Sequence, residues 1–180
     1  MSAVDRSGES APVALARQTV EQFTRQGTAP PVPDPLPPEL AVEAATFVSI
    51  KTLAGGAKSL RGCIGTLDPT CANAALEIIE NAVKAATQDP RFPPIQPREL
   101  PDLVYSVDIL STPEPVTDLS QLDPIRYGVI VRSGFYRGVL LPNLETVDTV
   151  EEQLSIAMQK ASIAAGQTVD ILRFEVVRYT

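Results

Sequence analysis

The sequence predicts an α+β fold: a mixed, largely antiparallel sheet with packed helices, in two subdomains with a cleft between them. Three observations predict it. Two pairs of β-rich segments are each joined across a glycine-containing turn, which makes hairpins and therefore antiparallel pairing. The strand–helix alternation of a doubly wound parallel sheet is missing between those paired segments. A hairpin followed by a helix and a strand occurs twice, as a loose echo rather than a strict repeat.

The elements follow in order. Met1 to Ser10 is small and polar and is expected to be disordered, with residues 1–11 as the N-terminal tail. Pro12 opens a helix at a position where its missing N–H costs nothing, Leu15, Ala16, Val20 and Phe23 recur at helical spacing, and Gly27 stops it. Six prolines between Pro30 and Pro38 make a stiff, extended connector. Thr46 to Leu53 reads as a strand, Ala54-Gly55-Gly56-Ala57 turns the chain, and Ser59 to Thr66 returns. Pro69 to Gln88 is the clearest helix, with Asp68 as cap and a stripe of Ala72, Ala75, Leu76, Ile79, Val83 and Ala86. After a proline-rich loop, Leu103 to Leu110 alternates as a strand, with Ser106 and Asp108 opposite Tyr105, Val107 and Ile109. Gly128 to Arg132 and Tyr136 to Leu141 form a hairpin around Ser133-Gly134. Thr149 and Glu152 have capping-box spacing ahead of a helical stripe from Val150 to Ala165, stopped by Gly166. Val169 to Tyr179 is read as one long final strand.

Composition excludes several chemistries. The chain of 180 residues carries a formal charge of -7, which disfavours direct nucleic-acid binding and anionic membranes. It contains no histidine, so no Ser-His or Cys-His pair and no histidine-ligated metal is available. The two cysteines, Cys63 and Cys71, are too few for a thiolate cage, so no metal and no cofactor is expected. The low cysteine count and the lack of a leader or a long apolar run point to a cytoplasmic protein without a membrane span.

Leu60-Arg61-Gly62-Cys63-Ile64-Gly65-Thr66 is the densest signal. In an ideal strand Arg61 and Cys63 share a face, and a cation beside a thiol favours the reactive thiolate. Gly62 and Gly65 then open space for a ligand, with Thr66 at its rim. The competing reading makes Cys63 a small core residue and the glycines the mark of a β-bulge or of close helix packing. Asp89-Pro90-Arg91-Phe92 offers Arg91 as an anion clamp, or Asp89 and Arg91 as a turn-stabilising pair. Tyr127 can hydrogen-bond a ligand or simply pack. Lys160 is a catalytic amine if buried and a solvated lysine otherwise.

Taken together, LRGCIGT at Leu60 to Thr66 and DPRF at Asp89 to Phe92 resemble the AMMECR-type domain family, also labelled protein A of the AmmeMemoRadiSam system. The resemblance runs from about Val13 to Phe174 and includes Asn81 to Ala86, Val107 to Leu110, Gly128-Val129, Leu140 to Pro142 and Lys160-Ala161. It implies that residues 12–180 form a single domain of this type, with two subdomains and the signature near a cleft. The chain departs from the family at Tyr127, where a histidine is common, at Asn143, where glutamine is common, and at Ser162, where the segment carries glycine. A tryptophan usual around the last helix is absent.

The resemblance brings no established reaction. It implies neighbours of the Memo and radical SAM classes, and hence an uncharacterised accessory subunit or adaptor working with such proteins. The alternative is an enzyme with Cys63 as nucleophile and Arg61 and Arg91 holding the anionic group of a small molecule. Gly62, Gly65, Thr66, Asp89, Tyr127 and Lys160 are the candidate ligand-binding residues. Oligomeric state stays open.

Overall fold

A computed structural model of the chain describes residues 8–180. The expected disordered tail falls mostly on residues 1–7, which lie outside the described residues. Of the rest of that stretch, Glu9 pairs with Arg17 at 2.9 Å and Ser10 is the residue before the first helix.

The fold is α+β with two antiparallel four-stranded sheets. The helices are α1 (Ala11–Gln26), α2 (Pro38–Ala41), α3 (Ala74–Thr87) and α4 (Val150–Lys160). The strands are β1 (Thr46–Ala54), β2 (Ala57–Gly65), β3 (Leu103–Leu110), β4 (Glu114–Pro115), β5 (Gly128–Ser133), β6 (Tyr136–Leu140), β7 (Asp170–Phe174) and β8 (Val176–Tyr179). The chain divides into two compact units, one ending at Ile109 with Val177–Thr180 added, the other Leu110–Val176.

In the first unit the sheet order is β2-β1-β3-β8. Helices α1 and α3 cover one face, and Val48, Ile50, Tyr105 and Val107 meet Val13, Val20, Ile78 and Ala82 in the core. The β1–β2 turn has positive φ at both Gly55 and Gly56, the twist a two-residue hairpin needs. Helix α3 starts later than its apolar pattern suggests. Its cap is Asn73, whose side chain accepts the Leu76 N–H at 3.0 Å, because the carboxylate of Glu77 holds Thr70 and Cys71 in a loop instead. The buried stripe is accordingly Ala74, Ala75, Ile78, Ile79, Ala82, Ala85 and Ala86, while Leu76 faces outward.

In the second unit the order is β4-β7-β5-β6, with α4 packed on Val129, Val131 and Leu140. The capping box is present: Thr149 Oγ1 accepts the Glu152 N–H, and Glu152 accepts the Thr149 N–H, each at 3.2 Å. Helix α4 ends at Lys160, short of the expected Ala165, in a left-handed turn at Ser162 (φ 57°). The single final strand is instead two strands, β7 and β8, in different sheets. Between them Glu175 leaves the ladder and its N–H donates to Ser111 Oγ at 2.9 Å.

The echo seen in the sequence is a shared plan. Each unit is a hairpin, a helix and a third strand antiparallel to the hairpin's first. In each, a buried helix amide donates to a main-chain carbonyl at or just before that strand's start: Asn81 to Thr46 O at 3.0 Å, and Gln153 to Tyr127 O at 2.8 Å. Four residues further on, the carbonyls of Ala85 and Ala157 press on Gly62 and Gly138 of the hairpins' second strands.

Candidate functional site

Strand β2 is an edge strand, so every second residue points its N–H and C=O away from the sheet. Cys63 is one of these, and the Asp89-Arg91 loop closes over it. The Cys63 N–H donates to Asp89 Oδ2 at 2.9 Å, and Arg91 Nη2 donates to the Cys63 carbonyl at 3.4 Å. Arg91 itself forks onto Asp89 at 2.9 and 2.7 Å. One acid–base pair thus supplies the acceptor and donor that a neighbouring strand would have supplied. The Arg91 fork holds the Asp89 carboxyl far below the usual carboxylate range; burial opposes this, and the Cys63 N–H adds to it.

Arg61 does not stand beside Cys63 as an ideal strand would place it. The register slips between Ile50–Gly62 and Lys51–Leu60, leaving Arg61 as the extra residue of a β-bulge. That extra residue breaks the alternation, and Arg61 forks onto Glu99 at 2.7 and 3.1 Å. Its hydrogen bonds lower the Glu99 pKa against the effect of burial. Phe92 sits between the two arginines, 5.9 Å from the Arg61 guanidinium and 5.6 Å from that of Arg91.

The signature glycines open no space. A Cβ at Gly62 would run into the Ala85 carbonyl of α3, and one at Gly65 into the Phe47 ring and the Thr46 carbonyl. They allow close approach of helix to sheet and of ring to backbone. Thr66 donates its hydroxyl to the buried Glu77 at 2.5 Å. Arg61, Thr66 and Asp89 are thus hydrogen-bonded within the fold, and Gly62 and Gly65 are packed against it.

What lies free is the sheet face opposite α3. There Cys63 Sγ is 3.1 Å from Ser49 Oγ, and both side chains are half-buried. Ser49 pairs with Ser106 across β1 and β3, and Lys51 follows on the same face of β1. Arg178 forks onto Asp108 with two bonds of 2.7 Å. These hydrogen bonds raise the Arg178 pKa, as those of Asp89 raise that of Arg91, and an ionised Cys63 adds to both. Ser49, Lys51 and Arg178 are residues that sequence reasoning missed. The alternation of Phe47, Ser49 and Lys51 carried the signal, but nothing local marked that face as open.

Tyr127 and Lys160 belong to the second unit. The Tyr127 ring is flanked by the guanidiniums of Arg126 at 4.9 Å and Arg173 at 4.5 Å. Lys160 is exposed at the end of α4, so the burial a catalytic amine requires is missing.

Chemically, the Cys63 face offers a thiol, hydroxyls and cations. Asp89 and Asp108 are both bound to arginine, and the chain has no imidazole. Among the described residues no group of three acidic or thiol side chains could hold a metal, and no helix is long and apolar enough to cross a membrane.

A protein of Thermotoga maritima is 53% identical over 174 residues, covering 96% of this chain and 98% of its own length. A Clostridium acetobutylicum protein is 45% identical over 169 residues, covering 93% of this chain but 35% of its own, much longer length. The crystal structure of an uncharacterized protein from Pyrococcus horikoshii superposes with a TM-score of 0.80 at 29% identity, covering 93% of this chain and 88% of that one. The AMMECR1 family model matches residues 13–179, which takes in the Cys63 strand, the Asp89-Arg91 clasp and both units, and the chain therefore belongs to the AMMECR1 family.

Proposed function

We propose that this protein is a cytoplasmic accessory subunit that docks onto a Memo-like or radical SAM protein. The observation that carries this reading is Phe135. It sits at the tip of the β5–β6 hairpin and is 106% exposed, as open as in an extended chain, with Tyr136 beside it at 58%. Gly134 (φ 57°) makes the two-residue turn, and nothing in the turn requires an aromatic at the next position. A large apolar side chain held out at the tip of a hairpin suits an anchor for a partner's pocket. Two further observations support it. The Clostridium relative carries this sequence as about a third of a longer chain, so the domain is found joined to other protein. Arg61 is engaged by Glu99, Asp89 and Arg91 are engaged in holding the Cys63 backbone, and the carboxylates of Asp89 and Asp108 are both bound to arginine.

The test is a tagged pull-down with Memo-like and radical SAM proteins from the same source. Retention by the wild type and by Cys63→Ser, with loss in Phe135→Ser, is expected. Failure of both proteins to co-purify under gentle conditions overturns the reading.

A second reading, Cys63 as a nucleophile, is favoured by one observation: the half-exposed thiol lies on the open face at 3.1 Å from Ser49 Oγ. In that reading Arg61 does not bind substrate, since Glu99 occupies its fork. Iodoacetamide labelling of Cys63 only after unfolding would remove it.

A further inference from the structure

We infer that the open face of the first unit's sheet binds the phosphate group of a small phosphorylated molecule. The reading stands apart from the partner reading and does not require Cys63 to react.

The observation is a cavity of ≈ 510 Å³, within the range of small-molecule sites, lined from the open face by Ser49, Lys51 and Ser106 and bordered by Glu9, Val13 and Arg17 of the N-terminal segment and α1. Four cationic side chains line it, Arg17, Lys51, Lys58 and Arg178, against one acidic side chain, Glu9. Two of the cations are already matched: Arg17 by Glu9 and Arg178 by Asp108. Lys51 and Lys58 have no ion-pair partner among the described residues. They lie on one face, because Lys51 pairs with Leu60 and Lys58 with Leu53. Such diagonal neighbours are about 7–8 Å apart, a distance that two ammonium groups on flexible stems can close around one anion. In a chain of net charge -7, the half-buried Lys51 and the exposed Lys58, side by side at this cavity, make a local positive potential that attracts an anion.

The remaining donors specify the anion. Ser49 and Ser106 line the same cavity as cross-strand partners, and neither hydroxyl donates to a main-chain or carboxylate acceptor. Ser49 has only the Cys63 thiol as side-chain partner. Planar carboxylates are matched best by the arginine fork, and both forks here are filled. Ammonium point charges with hydroxyl donors suit a compact tetrahedral dianion, which accepts hydrogen bonds in every direction. The chemistry is that of a phosphate monoester, and Val104 and Leu53 on the same wall give its organic part an apolar surface.

The test is titration of the full chain with glycerol 3-phosphate, inorganic phosphate and succinate at constant ionic strength. It is read by calorimetry and by backbone amide NMR shifts. Expected are binding of both phosphate compounds in preference to succinate, with shifts centred on Ser49, Lys51 and Ser106. The double variant Lys51→Ala/Lys58→Ala should bind about tenfold more weakly or worse, while keeping its thermal unfolding midpoint. Phe135→Ser, in the other unit, should bind as the wild type does, so the outcome is separable from that of the partner reading. Equal binding of succinate, shifts elsewhere on the chain, undiminished binding by the double variant, or no binding at millimolar ligand would each overturn it.

Discussion

Asp89 accepts the main-chain N–H of Cys63 at 2.9 Å across 26 residues of sequence, and that bond ties the two motifs of this chain into one structural unit. A carboxylate, not a strand, finishes the edge of the sheet. The Cys63 backbone is thus pinned from the outside while its thiol faces Ser49.

Asp89→Asn tests that clasp. Asparagine keeps the size, loses the charge and turns one acceptor into a donor facing Arg91. The expected loss of stability is about 1–3 kcal/mol at neutral pH. Because the folded Asp89 pKa is depressed, its contribution is complete above the unfolded value of about 4 and is lost as pH falls toward the folded value. The gap between wild type and variant in urea unfolding should therefore be constant from pH 5 to 7 and shrink below pH 4. A gap that widens on acidification contradicts the assignment.

Gly62→Ala and Gly138→Ala should each cost about 2–3 kcal/mol, because a methyl group at either site meets a helix carbonyl that cannot move aside. Gly55→Ala is the contrast. Its side has open space, and only its φ of 59° opposes the change, for about 1 kcal/mol. Chemical unfolding of the three variants gives the order directly, and a mild Gly62→Ala would mean that α3 can back away from the sheet.

Much of this was legible in the chain. The hairpins at Gly55-Gly56 and Gly134, the Gly27 stop and the Thr149–Glu152 box are short-range signals, and each produced the expected element. The glycines signalled a bulge, but the direction of Arg61 was not legible, because which residue becomes the extra one is set by the partner strand's register. The start of α3 misled for a related reason: Pro69 and Asp68 make a good helix opening, but Glu77, seven residues beyond Thr70, draws that segment into a loop. The Val169–Tyr179 run has one pattern and two sheets, and nothing near Glu175 announces the change.

Ser162 carries a left-handed backbone (φ 57°) of the kind that favours glycine. Its N–H reaches Gln159 O at 3.0 Å and that of Ile163 reaches Met158 O at 2.9 Å, the paired bonds of a helix end that wants glycine. Ser162→Gly should raise stability by about 0.5–1 kcal/mol, the relief of left-handed strain less the added freedom of the unfolded chain. Ser162→Ala, with the same strain, should not. Thermal unfolding reads both, and equal midpoints would show the turn to be unstrained.

The two cysteines should label differently. Burial pushes the Cys71 thiol up, the Thr70 hydroxyl pulls it back, and the charges of Glu77 and Glu80 push it further. In a Cys63→Ser background, Cys71 alkylation by iodoacetamide should rise only at pH values above those of a free cysteine, and Glu80→Gln should bring the curve down. In a Cys71→Ser background, the half-exposed Cys63 should label without denaturant. Rapid labelling of Cys71 at pH 7 would count against the local electrostatics.

Glu77 offers the sharpest separation between the two ends of the signature. It is 1% exposed, and it accepts the Thr66 hydroxyl at 2.5 Å, the Thr70 N–H at 2.9 Å and the Cys71 N–H at 2.8 Å. Burial alone would raise its pKa, but these hydrogen bonds outweigh it and the net shift is downward. Its contribution is therefore present above the unfolded value of about 4.3 and fades as pH falls toward the folded one. Glu77→Gln places an NH2 donor among donors and should cost about 1–3 kcal/mol at neutral pH. Hydrogen exchange locates the damage. The Thr70 and Cys71 amides should exchange faster in Glu77→Gln while the Cys63 amide keeps its protection, and Asp89→Asn should show the reverse. If both variants release the same amides, the Thr70 loop and the Asp89 clasp open as one cooperative segment, and Cys63 is held by the whole hairpin rather than by its edge.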